Sequence, residues 1–132
     1  MIWLPALAGG AAGVGIILVM YRVGMLRERA GLAVLLAAIA SFYPVFAAAD
    51  GDVPAAVLHG LIFVAFTFLA VQGFRKTSVL LAGGLIAHGI FDLAMLALPS
   101  PGPLWWPAFC GALDIAAGLA LVRLMQRNRV PG

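Results

Sequence analysis

Charged residues are scarce in this sequence. Of its 132 residues only 10% are Asp, Glu, Lys or Arg, whereas 64% are hydrophobic, and the mean hydropathy is +1.12. An average soluble domain has roughly one-quarter charged residues, so this composition argues against a soluble domain and indicates an integral membrane protein. Cys110 is the only cysteine, which excludes an internal disulfide.

Alternation of polar and apolar residues is missing too, and its absence argues against a membrane β-barrel. The apolar residues instead form blocks of about 20, which is the length that an α-helix needs to cross a hydrocarbon core roughly 30 Å thick. Five blocks predict an all-α membrane protein, a single bundle of five transmembrane helices over residues 1–132. We expect the helices at about residues 4–23, 30–49, 53–73, 78–98 and 104–125.

Basic residues are absent from two of the four predicted loops. All eight Lys and Arg lie in the first loop, the third loop and the C-terminal tail. Because basic residues favour the cytoplasmic side of a membrane, this distribution predicts an outer N-terminus and a cytoplasmic C-terminus. No basic residue precedes the first apolar block, so we expect no cleaved signal peptide. The basic residues set orientation, and no nucleic-acid partner is expected.

Local signals predict how some helices begin, bend and pack. Asp52 is the expected N-cap of the third helix. Pro44 removes a backbone donor and predicts a kink late in the second helix. Gly9 and Gly13 have the G-x-x-x-G spacing that lets two helix backbones approach closely, which makes the first helix a packing helix.

Three ionisable residues lie inside predicted spans, where such side chains are costly and by default indicate a functional site. His88 and Asp92 are one turn apart on one helix, and a rise of about 1.5 Å per residue places Asp114 of the next helix level with His88. A buried carboxylate becomes protonated or finds a partner, and a histidine between two carboxylates supplies one. Such a set can exchange protons near neutral pH. The alternative is a polar network that only fixes helix packing.

Further side chains are expected at about the depth of Asp92 or at the start of the fifth helix, and we predict them as substrate-binding candidates. They are Tyr43, His59, Trp105, Trp106 and Cys110. The alternatives are interfacial anchors for the aromatic residues and simple packing for the cysteine.

Two imidazoles and two carboxylates are also suitable ligands for a divalent metal. The set would be His59, His88, Asp92 and Asp114. Because the spacing of these residues carries no specific metal signature, we expect no cofactor, and a metal at these four residues remains the alternative.

Residues 88–92, HGIFD, and residues 110–114, CGALD, flank a Pro/Gly-rich loop. In these H-x-x-x-D and C-x-x-x-D motifs the chain resembles a family of small five-helix bacterial membrane proteins known as a domain of unknown function. Members of that family often continue the first motif into a histidine pair, where this chain has Met95 and Leu96. The resemblance implies the five-helix fold, a location in the bacterial inner membrane and no particular activity.

The pair His88 and Asp92 is also similar, more faintly, to the H-x-x-x-E pair of the emopamil-binding protein class of sterol isomerases, with Asp in place of Glu. That resemblance implies protonation of a double bond inside the membrane, as a mechanistic analogy.

These observations favour an intramembrane isomerase or cyclase acting on a lipid-like or isoprenoid substrate. His88 with Asp92 would be the proton donor and its orienting partner, and Asp114 the opposing base or cation stabiliser. Membrane lipids are the expected partners, together with that substrate.

Two alternatives remain. A proton- or ion-coupled transporter or channel would be expected to form a homo-oligomer, because five short helices enclose little volume. A structural subunit of a membrane complex is favoured if the glycine face of the first helix binds a partner.

Overall fold

The computed structural model describes all 132 residues and is 80% helical, with no strands. The helices are α1 (Trp3–Arg22), α2 (Ala30–Ala40), α3 (Phe42–Ala49), α4 (Val53–Lys76), α5 (Ser78–Met95) and α6 (Trp106–Gln126). Since α2 and α3 form one apolar segment over Ala30–Ala49, five segments are long and apolar enough to cross a membrane. The predicted fold class is confirmed, and the orientation of the termini stays a prediction.

The ends of the helices follow local sequence signals. Asp52 caps α4, where its Oδ1 accepts a hydrogen bond from the Ala55 amide at 3.0 Å, and Thr77 Oγ1 accepts one from the Val79 amide at 3.2 Å at the start of α5. α5 ends at Met95, before the predicted residue 98, because a proline at position 99 disfavours helical backbone in the residue before it.

The second transmembrane segment is interrupted at Ser41, between α2 and α3. Ser41 Oγ donates a hydrogen bond to the Ala38 carbonyl at 2.6 Å, and Pro44 has no amide hydrogen to give to the preceding turn. The interruption lies three residues before the proline, and the kink itself stays a prediction. Tyr43, just after the interruption, is buried, with 1% of its surface exposed.

α6 is the central helix of the bundle, because both α1 and α5 pack along it, while α4 contacts α2, α3 and α5. Gly9 of α1 lies against the Phe109 carbonyl, and Gly13 lies against the Leu113 carbonyl, so closely that a methyl group at either position would collide with the α6 backbone. Gly9 and Gly13 are thus covered by α6, whereas Gly10 and Gly15 have open space beside them.

A second glycine contact joins α5 to α6. A Cβ atom added to Gly89 would lie 2.8 Å from the Gly111 carbonyl oxygen and 2.7 Å from Ile115 Cγ1. Because these distances leave no room for a side chain, the two backbones touch at this level. The contact lies beside His88 on α5 and beside Cys110 on α6, and it positions the site.

Candidate acid–base site

Two helices supply the ionisable residues of the site. His88 and Asp92 are one turn apart on α5, and Cys110 and Asp114 are one turn apart on α6. Where the glycines let the two helices touch, these residues converge, so that one ligand atom from each of the four lies within 4.8 Å of all the others. We call these four residues the acid–base cluster.

The histidine of the cluster is held by both carboxylates, but unequally. His88 Nδ1 donates a hydrogen bond to Asp114 Oδ2 at 2.7 Å. Asp92 Oδ2 lies 3.3 Å from the same nitrogen without a hydrogen bond. The hydrogen bond therefore goes to the carboxylate on the neighbouring helix, and not to the one on the same helix that sequence spacing favoured.

The cluster is sealed from its surroundings. His88 is 1% exposed, and Asp92 and Asp114 are completely buried. Three carboxylate oxygens have no hydrogen-bond partner, namely both of Asp92 and Oδ1 of Asp114. Leaving unpaired buried charge is costly, so the arrangement suits groups that share protons.

Tyr43 and His59 form a layer next to the cluster, and neither belongs to it. Their rings stack with centroids 5.2 Å apart and an angle of 23° between the planes. The Tyr43 hydroxyl and Nδ1 of His59 are both buried without a hydrogen-bond partner.

Two phenylalanines that sequence reasoning missed pack against the histidine. The ring of Phe66 on α4 lies 4.8 Å from the His88 ring at an angle of 73°, and the ring of Phe91 lies 5.7 Å from it. Phe91 is three residues after His88 in the HGIFD motif, and this helical spacing is a signal that points to it. Phe66 belongs to another apolar helix, where nothing local distinguishes it from the phenylalanines that face lipid.

The predicted tryptophans lie elsewhere. Trp106 packs on Phe42 and Phe46, with ring centroids 4.6 and 5.3 Å apart, and Trp105 is 49% exposed. These rings form a separate aromatic group at the start of α6. The structure does not bring either tryptophan to His88, and their position agrees with the alternative role of interfacial anchors.

A cavity of about 470 Å³ opens at the end of the bundle that carries Asp50 and Asp52, which we call the acidic end. No Lys or Arg lines this cavity. Three of its lining residues lie about one helical turn along the same helices from residues at the level of the cluster: Ala47 from Tyr43, Met95 from Asp92, and Pro107 from Cys110. His59 lines the cavity too. We call these four residues the floor of the cavity, which lies between the cavity and the acid–base cluster.

The donor atoms that converge differ from the metal set predicted from sequence. Cys110 belongs to the group, and His59 does not. A tetrahedral zinc ion holds its ligand atoms about 3.3 Å apart, whereas Nδ1 of His88 and Oδ2 of Asp114 are 2.7 Å apart and hydrogen bonded. Metal binding by both atoms would therefore require that hydrogen bond to break.

The sequence matches no protein-family model and no curated protein, and the fold matches no solved structure. Both resemblances drawn from the HGIFD and CGALD motifs stay predictions.

Proposed function

We propose that the acid–base cluster makes this chain an intramembrane isomerase or cyclase that acts on a lipid-like or isoprenoid substrate. The observation that carries the proposal is the 2.7 Å hydrogen bond from His88 Nδ1 to Asp114 inside a sealed site. A carboxylate that accepts the Nδ1 hydrogen fixes the tautomer and the orientation of the ring and stabilises the imidazolium form. Nε2 on the other side of the ring is then the atom that gives or takes a proton.

The two carboxylates have different parts in this proposal. Asp114 orients His88 through the hydrogen bond. Asp92, whose Oδ2 lies 3.3 Å from the same Nδ1, supports the imidazolium from that side of the ring, so Nε2 both gives one proton to the alkene and takes another back from the substrate. Phe66 and Phe91 present aromatic rings beside His88, where they can stabilise the carbocation that forms when an alkene is protonated.

The acidic-end cavity is the proposed entrance for the substrate. Because Asp50 and Asp52 line it and no basic residue does, it disfavours diphosphate or carboxylate head groups and suits a hydrocarbon, an alcohol or another head group without negative charge. Met95 forms part of the floor, and its flexible unbranched side chain can move aside. Displacement of Met95 would open the route from the cavity to His88.

Hydrogen exchange into lipid tests this proposal. Membranes containing the protein are incubated in D₂O with neutral isoprenoid alcohols and hydrocarbons, and lipid mass spectra are recorded. An acid–base isomerase incorporates solvent deuterium at carbon. We expect Asp114→Asn to lower the rate by about 100-fold or more, in the range of general acid–base contributions, while Glu28→Gln, at the opposite end of the bundle, leaves the rate unchanged.

One further observation favours proton transport as a second candidate. Unpartnered polar atoms of His59, Tyr43 and Asp92 follow one another between the acidic-end cavity and His88. Beyond Asp114, however, α6 is apolar as far as Arg123. If no lipid gains deuterium but proteoliposomes take up protons in a manner that Asp114→Asn abolishes, transport replaces the enzyme proposal.

A further inference from the structure

Three arginines converge at the other end of the bundle. They line one cavity of about 420 Å³ together with Tyr21. Arg22 ends α1, Arg27 ends a short 3-10 turn after it, and Arg129 comes from the C-terminal tail. We call this the basic-end cavity. It is separate from the acid–base cluster and plays no part in the proposed chemistry.

The C-terminal tail is folded back against the bundle, and this brings Arg129 to the cavity. The backbone turns at Asn128, whose φ of 53° is left-handed, and the Arg129 amide donates to the Leu124 carbonyl at 2.9 Å. Val130 packs into the hydrophobic core, with 5% of its surface exposed. Packing of the C-terminal tail on the bundle therefore fixes the backbone position of Arg129.

No acidic residue balances these three guanidinium groups. None lines the cavity, and the ion pairs of the protein all involve His88. Glu28 forms no ion pair with them, although it lines a neighbouring cavity together with Arg27. Since like charges around one cavity repel one another, an anion in the basic-end cavity would face three exposed guanidinium groups and no side-chain carboxylate.

We infer that the basic-end cavity binds a phosphate group, carried by an anionic phospholipid or by a soluble phosphate. Arginine binds phosphate oxygens through paired N–H donors, and basic pockets at the ends of transmembrane helices hold anionic lipid head groups. Leu18 and Val19 on the neighbouring turn of α1 are 43% and 61% exposed. They offer an apolar surface for the acyl chains of a lipid whose phosphate lies among the arginines.

Native mass spectrometry of the full chain from nanodiscs tests the inference. Discs contain phosphatidylcholine alone or a mixture with phosphatidylglycerol. We expect retention of one phosphatidylglycerol, with a preference over phosphatidylcholine of about tenfold or more, equivalent to about 1.4 kcal/mol. The variant Arg22→Gln with Arg129→Gln should lose that preference.

A matched control separates the cavity from general basic charge. The variant Arg75→Gln with Lys76→Gln removes the same charge from the same end of the bundle, but neither residue lines the cavity. It should keep the preference within about twofold. Equal loss in both double variants, or no preference in the unaltered chain for either phosphate source, overturns the inference.

Inorganic phosphate identifies the source. Its ³¹P signal is followed with protein in phosphatidylcholine discs. Binding that the cavity variant abolishes and the control variant keeps identifies a soluble phosphate as ligand, whereas phosphatidylglycerol retention that phosphate does not displace identifies a lipid. If the cavity variant does not fold, Arg27→Gln is compared with Arg75→Gln, because each removes one guanidinium group, only the first from the cavity, and both leave the packed tail intact.

Discussion

His88 and His59 are both buried in apolar helices, with 1% and 6% of their surfaces exposed. The first donates a hydrogen bond to Asp114 and lies near Asp92, whereas the second stacks on a tyrosine ring and leaves Nδ1 unpartnered. Burial alone therefore does not make a histidine an acid–base group. Its neighbours do, because a carboxylate on the ring nitrogen fixes the tautomer and supports the charged form.

Exchanging each histidine for glutamine gives the largest expected contrast. His88→Gln should lower deuterium incorporation into lipid by about 100-fold to 10,000-fold, the range for loss of a general acid or base. His59→Gln should lower it by less than about threefold, since the ring touches no carboxylate. Similar losses in the two variants would show that His59 also takes part in proton transfer, and would contradict the division between them.

Two glycines on α5 test whether the close approach of α5 and α6 is what brings Asp114 to His88. Gly89 lies at that contact, and Gly83 does not. Gly89→Ala places a methyl group against α6 and should destabilise the protein by about 1–3 kcal/mol, as overpacking does. Gly83→Ala points into open space and should be neutral or stabilising by up to about 1 kcal/mol, because alanine favours helix. Reversible unfolding in mixed detergent micelles measures both.

If Gly89→Ala and Gly83→Ala change the free energy of unfolding by the same amount, the α5–α6 contact tolerates a methyl group. In that case the backbone approach could not be what joins His88 to Asp114.

The smallest effect is expected at Tyr43, which lies between the two histidines. Its buried hydroxyl has no hydrogen-bond partner, so Tyr43→Phe removes no bond and should change stability by less than about 1 kcal/mol. Deuterium incorporation should fall by less than about threefold. A loss near that of His88→Gln would instead identify the tyrosine hydroxyl as a proton carrier to Asp92.

Several features of the fold and of the site follow from short stretches of sequence. Hydropathy predicts the five spans, Asp52 predicts the start of α4, and Pro44 marks the part of the second span in which the helix is interrupted. Each depends on a block of residues or on one turn of backbone. The helical rise also predicts that His88 and Asp114 lie at the same depth, because depth is counted along each helix separately.

Other features of the site required distances between helices. The spacing of the CGALD motif does not say that Asp114, rather than Asp92, accepts the hydrogen bond from His88. The separation of Trp105 and Trp106 from the cluster also depends on how α6 is rotated against its neighbours. Rotation about a helix axis is set by packing of glycines and large side chains from distant segments, which no local pattern records.

Local chemistry thus determines which segments of this protein enter the membrane and which residues in them are ionisable, because hydropathy and charge belong to each segment alone. Tertiary packing decides which of these residues contact one another. The approach of Gly89 to Gly111 joins His88 to Asp114, and the burial of Val130 brings Arg129 to the basic-end cavity. Hydrogen bonds and ion pairs act over a few ångströms, and only packed helices fix distances of that size.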